Sequence, residues 1–235
     1  MIVSVHQPNF APWLGFFDKM AHSDVLVLLD TVQFIKRGYQ NRTRVKGPAG
    51  AQWLTVPVNT KGRYDQLTQD VEIDETRSWR QSHLRTLRGV LSRAPHADEL
   101  LSVVEPFYGR PVGEGLTAFN VALIRAVAAR LGISTRLVLA SDLECRGSST
   151  QLILDLTKAV GGDVYLSGPT GRAYLEPEMF PAEGVTLRYH EFAAFPYPQL
   201  FGAFLPGLSC LDYLANVGFS PWAGLPVGAV VSPAE

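Results

Sequence analysis

The 235 residues contain only two cysteines, Cys145 and Cys210. That excludes a disulfide framework, and no Cys/His spacing matches a structural zinc site. No uninterrupted apolar run approaches the roughly 18 residues of a spanning helix. The opening Met1-Ile2-Val3-Ser4-Val5 lacks the basic stretch and long apolar core of a secretory leader. An excess of one charge is missing too: 21 Lys+Arg against 22 Asp+Glu leave a net charge of −1, with no overall bias toward nucleic acid or membrane. These absences fit a reducing compartment, and a cytoplasmic protein is the expectation.

An apolar share of 46% is high enough to exclude a disordered or collagen-like chain. A chain of this length buries roughly 70–75% of its unfolded surface. The expected organisation is one α/β domain over residues 1–218, with a basic insertion or lobe at about 35–115 and a tail over 219–235, frayed from 221. Residues 2–5 form a β-branched run that breaks at His6-Gln7-Pro8-Asn9, and Trp13, Phe16, Phe17 and Met20 follow at helical spacing. The run 25–29 is continuously apolar, as in a parallel strand buried on both faces. Further strands are expected at 53–58, 136–140, 164–166 and 185–192. Helices are expected at 76–93, from Leu116 to a glycine cap at Gly132, from Ser148-Ser149 to Val160, and at 208–217. The fold class is therefore α/β, a mainly parallel sheet flanked by helices with a Rossmann-like or nucleotidyltransferase-like opening.

Ligands of open α/β sheets bind beyond the carboxyl ends of the strands, so the residues just after each run carry the interest. His6 follows the first strand, where a neutral imidazole serves as a base or pairs with an anion; packing at the turn is the competing reading. Gln7 and Asn9 are suited to orienting an amide or hydroxyl. Asp30 and Gln33 follow the second strand. Residues 35–93 hold 12 Lys/Arg against 5 Asp/Glu, and within 35–46 Lys36, Arg37, Arg42, Arg44 and Lys46 stand without any acid. This run reads either as an anion site, for phosphate or a phosphopantetheine-like arm, or as a solvated loop. Ser167-Gly168-Pro169-Thr170-Gly171, with Arg172 and Tyr174 beyond, offers glycines for close approach of a ligand, but it matches no Walker, dinucleotide or nucleophile-elbow pattern. His83 shares an apolar stripe with Trp79 and Leu87 and reads as a core histidine. Cys145 is either a nucleophile beside His6 or an inert small residue. No metal site is expected.

Taken together, His6-Gln7-Pro8-Asn9-Phe10, Pro12-Trp13-Leu14-Gly15-Phe16-Phe17-Asp18-Lys19, Leu29-Asp30-x-Val32-Gln33-x-x-Lys36, Asn41-Arg42 and Trp53-Leu54-Thr55-Val56-Pro57-Val58 resemble the WbqC-like family. The resemblance continues through Trp79-x-x-x-His83, Leu131-Gly132-Ile133, Tyr165-Leu166-Ser167-Gly168-Pro169 and Pro198-Gln199-x-x-Gly202-x-Phe204-x-Pro206-x-Leu208-Ser209. It therefore runs to about Gly218. It implies a transferase of O-antigen, other polysaccharide, antibiotic or other specialised-metabolite biosynthesis that forms an amide. The donor would be an aminoacyl or acyl thioester on an acyl or peptidyl carrier protein, and the acceptor a small-molecule amine. His6, Gln7, Asp30, Gln33, Lys36, Asn41 and Arg42 are the polar positions that match its motifs.

On this reading His6 is the base, with Gln7, Asp30 and Asn41 as its catalytic neighbours. Gln7, Asn41 or Arg42 polarises the carbonyl. Asn9, Gln33, Lys36, Arg42, Arg44, Ser167 and Arg172 bind substrate, and Lys36, Arg42 and Arg44 are expected to rim the His6 pocket and meet a carrier's phosphate. No cofactor is expected beyond the carrier's phosphopantetheine arm, and no membrane or nucleic-acid partner. The alternatives are a nucleotidyltransferase-like or ATP-dependent ligase, whose paired-histidine signature is missing, and a non-catalytic binding module using the basic segment, for which no recognised nucleic-acid motif is present.

Overall fold

The computed structural model describes residues 1–110, 113–222 and 228–232. β1 (Ile2–His6) lies at the centre of a six-stranded sheet, because its β-branched residues bury on both faces and both of its edges find partners. On one side it pairs in parallel with β2 (Val25–Leu28) from Val3↔Val25 to His6↔Leu28. On the other it pairs in parallel with β6 (Val164–Ser167), at Ile2↔Val164 and Val3↔Tyr165. β5 (Arg136–Leu139) extends the sheet beyond β2, and β7 (Thr186–Glu191) extends it beyond β6. β8 (Ala229–Val231) closes the β7 edge antiparallel. The spatial order is β5-β2-β1-β6-β7-β8, a mostly parallel sheet flanked by helices, as the α/β reading requires.

Alternation along the central strands sorts the helices into two layers. Val3, Val5, Val25 and Val27 point to the face covered by Leu152, Ile153 and Leu156 of α5 (Ser149–Ala159), with the short α6 (Met179–Ala182) beyond. Leu26 and Leu28 point the other way, onto Phe16, Phe17 and Met20 of α1 (Leu14–Ala21). The chain between β2 and β5 builds on this second face. It makes a hairpin of β3 (Arg42–Gly47) and β4 (Gly50–Thr55), then α2 (Trp79–Leu91), α3 (Ala97–Tyr108) and α4 (Leu116–Arg130). Residues 35–115, expected as an insertion or lobe, share one continuous core with α1: Trp79, Leu87, Leu100, Val104 and Tyr108 join Phe16 and Phe17. α7 (Cys210–Val217) packs on α3 in the same layer.

Three expectations change. The basic stretch 35–46, for which a solvated loop was one of two readings, holds most of β3, because Thr43 and Val45 turn inward while Arg42 and Arg44 alternate with them. The strand expected at 53–58 begins at Gly50, directly after the turn that follows Gly47. The tail is not frayed throughout. Trp222 is buried and Ala229–Val231 is a sheet strand, although residues 223–227 and 233–235 of the tail lie outside the described residues.

Candidate functional site

The direction of strand order reverses between β1 and β6, so α1 leaves toward one half of the sheet and α5 returns toward the other. Such a reversal opens a crevice at the carboxyl ends of the two strands. A cavity of about 430 Å³ lies there, lined among others by His6 and Gln7 after β1, Ser167, Gly168 and Thr170 after β6, Trp13 and Lys19 from the α1 segment, and His190 and Phe192 from β7 and its exit.

Each polar group in the crevice is held by the fold. His6 Nδ1 lies 2.9 Å from the Gln7 carbonyl, an oxygen that only accepts, so Nδ1 carries the proton and Nε2 keeps its lone pair. Phe16 packs edge-on against the same ring at 4.9 Å. Burial first, and the Lys19 charge second, push the His6 pKa down to about 3. The Lys19 side chain is buried and donates to the Val5 carbonyl at 2.9 Å, and burial pushes its pKa down to about 7. Near neutrality it is therefore divided between ammonium and amine.

Opposite them stands a pair that the sequence reading did not mark. His190 Nε2 donates to Asp18 Oδ2 at 2.5 Å. Asp18 is fully buried and also accepts from Trp222 Nε1 at 3.0 Å and from the Gly228 amide at 2.8 Å. Burial alone would raise the carboxyl pKa, but these donors together hold it below its ordinary value. With Nε2 committed to Asp18, the lone pair of a neutral His190 ring is at Nδ1. A carboxylate that fixes an imidazole tautomer beside a cavity is the arrangement of an oriented general base. The available signal was an Asp-Lys pair inside an apolar helix, where an ionisable group is costly unless partnered.

The ligand atoms of Asp18, His22 and His190 all lie within 4.8 Å of one another. His22 Nδ1, however, is engaged by the Asp18 carbonyl at 2.8 Å, and the Asp18 carboxylate is already occupied by three donors. Hydrogen bonding accounts for the cluster without an ion.

The sequence candidates fall into separate places. His6, Gln7 and Ser167 share the crevice. Asp30 lies at the end of β2 but accepts from the Ser141 amide at 2.9 Å and the Ser141 hydroxyl at 2.7 Å, tying β2 to the segment after β5. Gln33 donates to the Tyr64 carbonyl. Arg172 pairs with Glu191 at 3.1 Å and sits 4.1 Å over Tyr189. Neither it nor Asn9 lines the crevice.

The expected rim of Lys36, Arg42 and Arg44 around His6 is not formed. Lys36, Arg42 and Asn41 line a second cavity that shares no residue with the first, and Arg44 donates to the Gly207 carbonyl. The hairpin carries the basic run away from the end of β1. His83, read as a core residue, is buried and bonded to the Thr55 carbonyl at 3.0 Å, and it also lines that second cavity. Cys145 lies in a third cavity with Thr31 and Ser141, apart from His6, and burial raises its thiol pKa, which removes it as a partner of that histidine.

The fold and crevice define an α/β protein that would bind its ligand at the switch point of a parallel sheet. The chain belongs to the WbqC-like protein family, whose sequence pattern matches residues 7–222. It is 36% identical over 217 residues to a Mycobacterium tuberculosis relative called "Uncharacterized protein Rv1507c", an alignment covering 92% of this chain and 94% of that one. No solved structure matches. Among the described residues no helix is long and apolar enough to cross a membrane.

Proposed function

We propose that the protein is an amide-forming acyltransferase working in the crevice between β1 and β6, with an acyl or aminoacyl thioester as donor and a small-molecule amine as acceptor. The observation that carries this reading is the Asp18-bound imidazole of His190 lining one cavity with His6, Gln7 and Lys19. The amine nitrogen attacks the thioester carbonyl, the new C–N bond forms as the C–S bond breaks, and the thiolate leaves. His190 Nδ1 takes the proton released by the amine and returns it to the sulfur. Neutral His6, poorly suited to hold a proton, accepts a hydrogen bond from the amine through Nε2 and orients it. The Gln7 amide and the Lys19 ammonium steady the negative charge that develops on oxygen and then on sulfur. A thioester is already activated, so positioning and one base are the contributions required.

The test is amide formation followed by mass spectrometry, with aminoacyl thioesters on a carrier protein and on a short thiol as donors and a panel of amino sugars as acceptors. The wild type forms product, and His190→Gln is slowed by the roughly 10²- to 10⁴-fold typical of losing a general base. Absence of product with every pair, together with saturable magnesium-dependent ATP binding, would replace this reading with an ATP-dependent ligase.

A further inference from the structure

The cavity under the hairpin is unlike the crevice in size, shape and charge. It measures about 610 Å³ and is lined by Lys36, Arg37, Arg42 and Arg77 with a single carboxylate, Asp74. Asp74 is already engaged, by Arg77 at 3.3 Å and by the amide and hydroxyl of Thr76. Among the described residues no carboxylate lies within ion-pair distance of Lys36, Arg37 or Arg42. Like charges gathered around one concavity raise the local concentration of anions.

Three further features point to a ligand in this cavity. The Arg42 guanidinium lies 4.0 Å over the Trp53 ring, which fixes its plane, and its Nε is buried with no partner. Asn41 is only 6% exposed. Its Nδ2 donates to the Val56 carbonyl at 2.9 Å, while its Oδ1 is buried and unpartnered, a costly state for an amide oxygen unless something donates to it. The amino end of α2 reaches the same wall through Ser78 and Trp79, and the Ser78 side chain makes no cap, so first-turn N–H groups stand ready for an anion.

We propose that this cavity is a second site, separate from the crevice, for a phosphate ester whose alcohol portion carries a hydroxyl or amide N–H. Arg42, Lys36, Arg37 and the α2 amino end take the phosphate, and Asn41 Oδ1 accepts from the donor on the organic part. A phosphorylated sugar and the phosphate of a pantetheine arm share this chemistry. The inference uses neither His6 nor His190 and stands apart from the acyl-transfer reading.

Calorimetric titration tests it with glucose 1-phosphate, 4′-phosphopantetheine, their unphosphorylated counterparts glucose and pantetheine, and inorganic phosphate, at low and ordinary salt. At least one ester is expected to bind saturably, at least about 10-fold more tightly than both its unphosphorylated counterpart and inorganic phosphate, and less tightly as salt rises. The one that does identifies the source. Lys36→Gln with Arg37→Gln, both exposed positions, should weaken that binding at least about 5-fold at an unchanged thermal midpoint, and Asn41→Asp should weaken it further. His190→Gln should leave it unaltered, so failure here and failure of the acyl-transfer reading are distinguishable. Equal binding of phosphorylated and unphosphorylated probes, inorganic phosphate binding as well as the esters, a folded double variant that binds like wild type, or saturable binding of neither ester would each overturn the proposal.

Discussion

His190 Nε2 and Asp18 Oδ2 stand 2.5 Å apart across 172 positions of sequence, joining β7 to α1 behind the wall of the crevice that His190 lines. The same carboxylate gathers Trp222 and Gly228. One buried anion therefore anchors a helix, a strand and the C-terminal segment.

Removing that anion strands two buried donors, His190 and Trp222, and the half-buried Gly228 amide. Asp18→Ala is expected to cost at least about 3 kcal/mol, measured by urea unfolding, while Asp18→Asn should cost less because it keeps one acceptor. A loss under about 1 kcal/mol in the alanine variant would contradict the anchoring role.

Lys19 makes the opposite prediction. Its pKa falls from 10.5 to about 7 on folding, so between these values the unfolded chain holds a proton that the folded chain gives up. The penalty is complete below about pH 7 and fades as pH rises toward 10.5. Lys19→Met should therefore be more stable at pH 7, by up to about 4 kcal/mol less about 1 kcal/mol for the lost bond to Val5, and unfold at a higher temperature. The gain should vanish near pH 10.5 while amide formation falls. Equal or lower stability at pH 7 would show that the amine is not buried at a cost.

His6 and His83 set the acid limb. Burial lowers their pKa values from 6.5 to about 3 and about 4 respectively, so below pH 6.5 the unfolded chain takes up protons that the folded chain refuses. Stability is complete above pH 6.5 and declines as pH falls through these windows, by about 1.4 kcal/mol per unit for each group. In urea melts from pH 7 to pH 4, His6→Gln and His83→Gln should each flatten the decline; parallel curves would place the acid lability elsewhere.

Gly228 tests the tail. A Cβ there would meet Asp18 Oδ2 and the Glu191 carbonyl at 2.5 Å and His190 Nε2 at 2.8 Å, and the Glu191 carbonyl belongs to the backbone of β7 and cannot turn aside. Gly228→Ala should cost about 2 kcal/mol or more and expose the β8 amides to hydrogen exchange. Unchanged exchange at Ala229–Val231 would contradict the packing.

The succession of most strands and helices along the chain was legible in local pattern. The apolar runs at 2–5 and 25–29 and the stripes of 76–93 and 116–131 are short-range periodicities that burial on a sheet or helix face imposes. His6 and Ser167 were marked because a strand end is a local feature. α3 was not, since Ala97–Tyr108 follows directly on α2 and carries Pro106 within it, which reads as a break. The partnership of Asp18 with His190, the second cavity and the strand at Ala229–Val231 depend on which strands become neighbours. Sequence placed Lys36 and Arg42 soon after β2, but in the fold they line a different cavity from His6, and only the folded sheet brings residues 18 and 190 within hydrogen-bond reach. Chain order sets periodicity because neighbouring residues share an element; long-range pairs are decided by the order of strands in space, on which local pattern is silent.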